Sequence, residues 1–211
     1  MNRHAQPTPT RRLALALTAG TALSGLMARS SAAQSGLPRV TGADHVIGSP
    51  AAPVTVVEYG SYSCGYSAEW QMLHWYDFKE RFIDTGRVRF VFRETLTEPT
   101  EMAMTAAAVA RCSAPERYFD VMHSLFRWQS TARNFGPVSE WYDRAIAVSG
   151  RDPQTVRDCA ADPATQRAIQ ASIDGGARAG VVRTPTFFVN GRKLDDRSLD
   201  VIAAAIEAAG G

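Results

Sequence analysis

Cys64 is the residue of this chain that is best placed to do chemistry. It lies in the segment Ser-Cys-Gly-Tyr-Ser at positions 63–67, after an apolar stretch typical of a strand and before a stretch with helical periodicity. A Cys-x-x-Cys motif at such a junction performs thiol–disulfide exchange, in which the first thiolate attacks and the second releases the mixed disulfide. Here the fourth position is Ser67, whose hydroxyl is not a nucleophile toward sulfur at neutral pH. The motif therefore predicts a redox enzyme that has an attacking thiol and lacks a resolving one.

The surroundings of Cys64 favour a reactive thiol. At the N-cap or in the first turn of a helix, unpaired backbone N–H groups and the positive end of the helix dipole stabilise a thiolate. Glu58, six residues earlier, lies on the same strand face as Val54 and Val56. An acid on an apolar face is costly unless it is functional or paired, so Glu58 is a second candidate for the site. The alternative is an acid at an exposed end of the sheet.

The chain has three cysteines, which are Cys64, Cys112 and Cys159. In an oxidising compartment an odd count predicts one bridge and one free thiol. Cys112 and Cys159 both lie in helical sequence far from Cys64, so we expect them to form a structural disulfide, worth about 4 kcal/mol in the chain-entropy model. Two free buried thiols are the alternative, and a bridge from Cys64 to Cys112 is disfavoured.

The elements that position these residues come in two groups. Residues 53–59 and 88–92 alternate as strands do, and the helical pattern between them runs from Gly65 to about Asp84 before Gly86 ends it. This β-α-β order predicts two parallel strands. After a stretch without a strand pattern, 98–180, which predicts four or five helices, come two short strands around Asn190-Gly191 and a closing helix. An Asn-Gly pair between short strands predicts a hairpin.

At two places this sequence resembles the DsbA family of exported thiol-disulfide oxidoreductases. Residues 57–66 (VEYGSYSCGY) are similar to the family's active-site strand and helix start, and residues 182–191 (VRTPTFFVNG) are similar to its cis-proline strand and hairpin. The resemblance covers about residues 44–210. It implies an α/β, thioredoxin-like fold with an inserted helical subdomain. The expected domains are an export signal at 1–33, a leader segment at 34–52, a thioredoxin-like domain at 53–97 and 181–211, and the insert at 98–180.

The resemblance also implies roles for single residues. Glu58 becomes the buried acid that relays protons beneath the cysteine motif. Thr184-Pro185 becomes the cis-proline loop that lies against the motif and offers its backbone edge to an extended substrate. Gly65 and Tyr66, inside the motif, join that pair as substrate-binding residues.

The first residues predict export. Residues 1–33 combine arginines without acids, a short apolar stretch and small residues suited to cleavage near Ala33, which indicates a signal peptide and a periplasmic or otherwise exported protein. The apolar stretch is too short for a stable membrane anchor. Arg11-Arg12 leaves the twin-arginine and the general secretory routes both open. Removing four arginines and no acids changes the net charge from +2 to −2, and no basic cluster remains for nucleic acid.

Three functions follow as hypotheses. The first is a monothiol oxidoreductase that acts on exported proteins with cysteines or disulfides, by isomerisation or reduction more than by net oxidation. The second is a redox-inactive substrate-binding or chaperone-like protein, and the third is a glutathione transferase-like enzyme.

No bound cofactor is expected, although glutathione could serve as the external thiol and a redox partner protein is possible. No Cys/His spacing matches a metal site, so His74 and His123 are interpreted as packed or surface residues.

Overall fold

A computed structural model describes residues 1–2, 37 and 39–210 of the chain. The cleavage site and nearly all of the predicted export signal lie outside the described residues. In the part of the chain that is described, no helix is both long enough and apolar enough to cross a membrane.

A five-stranded sheet with the order β1-β3-β2-β4-β5 forms the centre of the fold. The strands are β1 His45–Ile47, β2 Val54–Gly60, β3 Val88–Glu94, β4 Thr186–Val189 and β5 Arg192–Lys193. β2 and β3 run parallel, with Val56 opposite Phe90, as the β-α-β pattern predicts. Both strands are buried at nearly every position, because helices or chain segments cover both faces of a sheet of this kind.

The first helix follows β2, five others lie between β3 and β4, and the last one closes the chain. They are α1 Gly65–Phe78, α2 Thr100–Arg111, α3 Tyr118–Phe135, α4 Val138–Ala147, α5 Pro153–Ala161, α6 Pro163–Arg178 and α7 Leu199–Ala208. α1 continues into a π-helical turn over Lys79–Ile83, and Gly86 then takes a positive φ of 76°. This mixed architecture agrees with the predicted α/β, thioredoxin-like fold.

β1 lies in a segment for which the sequence predicts no strand. Residues 34–52 are predicted to form a leader segment, yet His45–Ile47 pairs antiparallel with β3 at the edge of the sheet. The strand is three residues long, which is too short for a clear alternation of apolar and polar side chains. Asp44, directly before it, forms a nearly buried ion pair with Arg93 of β3, with Nε 2.7 Å from Oδ1. The ion pair and the strand pairing both attach this segment to the sheet.

The helical insert has capped and cross-linked ends. Asp152 and Asp162 cap α5 and α6 by accepting backbone N–H groups, and each precedes a proline at the first helical position. Cys112, directly after α2, is bridged to Cys159 of α5 by a disulfide that closes 47 residues of chain. The two cysteines thus pair inside the insert, and Cys64 is the free cysteine.

The hairpin between β4 and β5 turns at the expected pair. Asn190 and Gly191 both have positive φ angles, 46° and 83°, as a two-residue hairpin turn of this kind requires. The Asn190 side chain also accepts the backbone N–H of Thr55 at 2.8 Å. This contact fixes the hairpin, and with it the preceding Pro185, against β2.

Candidate active site

Cys64 is the N-cap residue of α1, with φ −81° and ψ 122°. Its carbonyl accepts the Ala68 N–H at 3.1 Å, and its side chain is partly exposed. The thiol Sγ lies 3.6 Å from the carbonyl oxygen of Thr184, to which it donates. The strand-to-helix junction and the loop before β4, which are 120 residues apart in sequence, therefore meet at the sulfur.

Thr184 and Pro185 are joined by a cis peptide bond. The Thr184 side chain is buried, and its Oγ1 has no hydrogen-bond partner within the described chain. Pro185 lines a cavity of about 420 Å³ between the start of β4, the middle of α1 and residues 194–198. The predicted substrate-binding pair thus lies at the sulfur and at the edge of an open cavity.

Gly65 and Tyr66 occupy the first turn of α1. A Cβ atom added at Gly65 would meet no heavy atom within 4 Å, so the chain is open to solvent there. The Tyr66 side chain is 60% exposed, and the guanidinium of Arg197 lies 4.4 Å from the centre of its ring. Arg197 also lies 3.8 Å from the carboxylate of Glu69. These side chains form a charged and aromatic rim on one side of the thiol.

Ser67 is completely buried, one helical turn after Cys64. Its Oγ accepts the backbone N–H of Ser61 at 3.3 Å, so the hydroxyl helps to hold the loop between β2 and α1. Ser61 and Ser63 extend this network to the loop after β3, because the Ser63 hydroxyl donates to the Thr97 carbonyl at 2.6 Å and Ser61 Oγ accepts the Thr97 N–H at 3.1 Å. The loop before the thiol is therefore fixed by hydroxyl groups.

Glu58 lies in the middle of the sheet and is completely buried, which excludes an exposed sheet end. Burial raises the pKa of its carboxyl well above 4.5, and the nearby Cys64 charge raises it further, while the hydrogen bond from Gln71 opposes the shift. Gln71 Nε2 donates to Oε2 at 2.7 Å, and Oε1 has no protein partner in the described part of the chain. A carboxyl in this environment favours the protonated, neutral form.

Two residues of α3 contact the cysteine loop and were not found by sequence reasoning. Gln129 Nε2 donates to the carbonyl oxygens of Tyr62 at 2.9 Å and of Cys64 at 2.8 Å. Arg133 Nη1 donates to the carbonyl oxygen of Ser63 at 2.5 Å. A polar residue at Gln129, on the helix face that carries Leu125 and Phe126, was the available signal, but its partners are backbone atoms more than 60 residues away.

The remaining predicted residues do not form part of this site. Cys112 and Cys159 are bonded to each other in the insert, where both sulfurs lie within 3.8 Å of the Thr165 hydroxyl. His123 packs against Trp75 and Tyr76, and burial lowers its pKa to about 4. Among the described residues, no group of three or more His, Cys, Asp or Glu side chains is arranged to hold a metal ion.

Comparisons with known proteins concern the family and the fold of the chain. The sequence profile described as thioredoxin matches residues 40–208. A Rickettsia bellii protein, provisionally named a protein-disulfide oxidoreductase, is 28% identical over 171 residues, which are 79% of this chain and 64% of that protein. This chain therefore spans less than two thirds of that relative.

Two solved structures show the same fold. Oxidised BdbD from Bacillus subtilis superposes with a TM-score of 0.75 at 24% identity, over 83% of this chain and 96% of that one. Wolbachia pipientis alpha-DsbA1 superposes with a TM-score of 0.71 at 21% identity, over 83% and 96% of the two chains. The fold implied by the resemblance to the DsbA family is confirmed.

Proposed function

Because the chain belongs to the thioredoxin family, we propose that it is an exported thiol–disulfide oxidoreductase that acts through the single thiol of Cys64. The observation that carries the proposal is the position of this thiol at the start of α1, with Sγ 3.6 Å from the Thr184 carbonyl and beside Pro185. The name of the Rickettsia bellii relative supports the same activity. The substrates would be exported proteins that contain cysteines or disulfides.

The reaction would be a two-step exchange. The Cys64 thiolate attacks a substrate disulfide, so that a bond from Cys64 to the substrate forms and a substrate thiolate leaves. Ser67 carries a hydroxyl where a resolving thiol would stand, so a thiol from solution or from a redox partner protein must break the mixed disulfide. Glutathione would serve as this external thiol, and no bound cofactor is required. Such a cycle suits isomerisation or reduction better than net oxidation.

The exchange at Cys64 would be assisted by three neighbouring residues, Glu58, Thr184 and Pro185. The backbone at Thr184 would pair with an extended substrate and bring its sulfur to Cys64. Glu58, buried and neutral, avoids placing a second negative charge near the thiolate. Because a proton on Glu58 can also be released, the residue would buffer the charge change when the Cys64 thiolate forms or is consumed.

Export is proposed from the first residues and from the cysteines. Residues 1–33 would be removed near Ala33, which leaves a periplasmic or otherwise secreted protein. A disulfide between Cys112 and Cys159 suits an oxidising compartment.

Reactivation of scrambled ribonuclease by residues 34–211 tests the proposal. With reduced glutathione present, the protein should accelerate reactivation, and without any external thiol a mixed disulfide at Cys64 should accumulate, detectable by intact mass. Cys64→Ser should abolish both effects, whereas Ser67→Ala should retain them. Equal acceleration by the wild type and Cys64→Ser would refute a thiol mechanism.

One observation favours the binding-protein alternative. Tyr66 is 60% exposed, Leu73 67% and Val182 87%, and all three lie on elements that border the thiol. Exposed apolar side chains can hold unfolded segments without any exchange chemistry. If Cys64→Ser suppresses aggregation of an unfolded client as well as the wild type does, while neither protein reactivates ribonuclease, this alternative is the better one.

A further inference from the structure

A second cavity opens beside the cysteine loop, between α1 and α3. It measures about 360 Å³, and its lining includes Gly65, Ala68 and Met72 of α1 and Phe126, Arg127 and Arg133 of α3. Gly65 directly follows Cys64 in sequence. Arg133 donates a hydrogen bond to the carbonyl oxygen of Ser63, the residue directly before Cys64. The cavity therefore begins one residue away from the reactive cysteine.

The charges that line this cavity are unbalanced. Its acidic side chain, Glu69, faces the guanidinium of Arg197 at 3.8 Å. Arg127 and Arg133 have no carboxylate within ion-pair distance among the residues that the structure describes. Arg133 uses Nη1 for the Ser63 carbonyl, and the guanidinium of Arg127 lies 5.9 Å from the centre of the Trp128 ring. Both arginines are exposed and keep N–H groups that can bind an anion.

We propose that this cavity binds the carboxylates of a small anionic thiol of the glutathione class, which enters and resolves the mixed disulfide at Cys64. The inference rests on the proposed monothiol function and adds the site at which the external thiol binds. Guanidinium groups suit carboxylates because their planar forks match carboxylate geometry. Glutathione carries two carboxylates, one at each end, and the cavity offers two arginines. Met72, which is 37% exposed, supplies apolar surface for the part of the tripeptide between them.

The exchange is balanced in atoms and electrons. The Cys64 thiolate attacks a substrate disulfide, which forms a bond from Cys64 to the substrate and releases one substrate thiolate. A glutathione thiolate then attacks the Cys64 sulfur, which forms the bond from Cys64 to glutathione and releases the other substrate thiolate. A second glutathione thiolate then attacks that glutathione sulfur, so that oxidised glutathione leaves and the Cys64 thiolate returns. The substrate gains two electrons, which come from two glutathione molecules, and the protein is unchanged over the cycle.

The test compares three disulfides of different charge on residues 34–211. Rates of adduct formation at Cys64 are measured by intact mass for oxidised glutathione, for neutral hydroxyethyl disulfide and for cationic cystamine. The quantity of interest is the rate with glutathione divided by the rate with hydroxyethyl disulfide. This ratio cancels changes in the fraction of folded protein and in the intrinsic reactivity of the thiol, because both affect the two reagents alike.

The double variant Arg127→Gln/Arg133→Gln should lower this ratio about tenfold or more, since charge-assisted contacts to carboxylates are lost. Arg133→Lys should recover part of the ratio because it keeps the charge. The matched control, Arg167→Gln, changes an exposed arginine on α6 and should leave the ratio unaltered. In the wild type, 0.5 M salt should lower the glutathione rate more than the cystamine rate.

Each contrary result has a separate meaning. If no reagent modifies Cys64 in the wild type, the proposed function itself fails. If hydroxyethyl disulfide reacts but the double variant leaves the ratio unchanged, the monothiol chemistry stands and the glutathione site is refuted.

Discussion

The side-chain amide of Gln129 donates to the carbonyl oxygen of Cys64 over 2.8 Å and to that of Tyr62 over 2.9 Å. Gln129 belongs to the helical insert, whereas Cys64 belongs to the sheet-and-helix unit around it. The insert therefore supplies side-chain hydrogen bonds to the backbone of the cysteine loop. This contact predicts that changes in α3 alter the reactivity of the thiol, because Gln129 holds the backbone that carries Cys64.

Gln129→Leu should lower the reactivity of Cys64. The substitution removes the side-chain donor to the Tyr62 carbonyl and one of the two donors to the Cys64 carbonyl, which keeps the Ala68 N–H, so we expect a loss of about 1–3 kcal/mol in the free energy of unfolding. The rate of Cys64 alkylation, measured well below the unfolding temperature, should fall as well, because the backbone that positions the thiol at the start of α1 is held less tightly. Gln170→Leu on the exposed face of α6 is the control. An altered unfolding temperature with an unaltered alkylation rate would show that Gln129 only stabilises the fold.

Glu58→Gln should change how stability depends on pH. In the unfolded chain the carboxyl loses its proton near pH 4.5, whereas burial raises its pKa well above that value in the folded protein. The folded state therefore retains a proton that the unfolded state has released, and stability falls as pH rises above 4.5 toward the folded pKa. Glutamine has no proton to lose. The stability of Glu58→Gln relative to the wild type should thus increase from pH 4.5 to pH 8 in denaturant titrations.

A relative stability that is constant over that range would contradict the raised pKa of Glu58. Glu69→Gln, an exposed change on α1, is the control and should show little pH dependence.

Removal of the disulfide between Cys112 and Cys159 should lower the free energy of unfolding and leave the thiol reaction of Cys64 intact. Cys112→Ala/Cys159→Ala is expected to cost about 2–5 kcal/mol in the free energy of unfolding, because the bridge closes a long segment of the insert. The single thiol of Cys64 should still form an adduct with hydroxyethyl disulfide. Non-reducing peptide mapping of the wild type provides the reference: a peptide that joins Cys64 to either other cysteine would contradict the pairing.

Sequence reasoning predicted the elements whose signal is local. The alternation around Val56, the Asn190-Gly191 turn and the junction at Cys64 depend on neighbouring residues, and each lies where it was expected. The sequence did not predict that Leu73, at an apolar position of α1, is 67% exposed. It also did not predict the contacts from α3. Every residue has a backbone carbonyl, so the residue type of the acceptor does not indicate such a hydrogen bond. The site thus combines a local sequence motif with hydrogen bonds from residues distant in sequence, which are found only in the structure.

Ser67→Cys should convert the protein into a dithiol oxidoreductase. A thiol at position 67 lies one helical turn from Cys64, where side chains three residues apart meet. Release of a mixed disulfide would then become intramolecular, and effective molarities up to about 10⁵ M or more exceed any millimolar external thiol. The cost is small, because the Ser67 hydroxyl accepts one hydrogen bond, from the Ser61 N–H at 3.3 Å, and such a bond contributes about 0.5–1.5 kcal/mol.

Oxidative refolding of a reduced, disulfide-containing protein measures this gain. Pre-oxidised Ser67→Cys should form disulfides in the substrate without added thiol, while the wild type and Ser67→Ala should not. The two controls differ in the hydroxyl alone, so they separate the loss of the Ser61 hydrogen bond from the gain of a thiol. Suppose that Ser67→Cys forms no bond between Cys64 and the new thiol, or forms one and oxidises nothing. The surroundings of Cys64 would then lack more than a resolving thiol, and the binding-protein function would be favoured over the redox one.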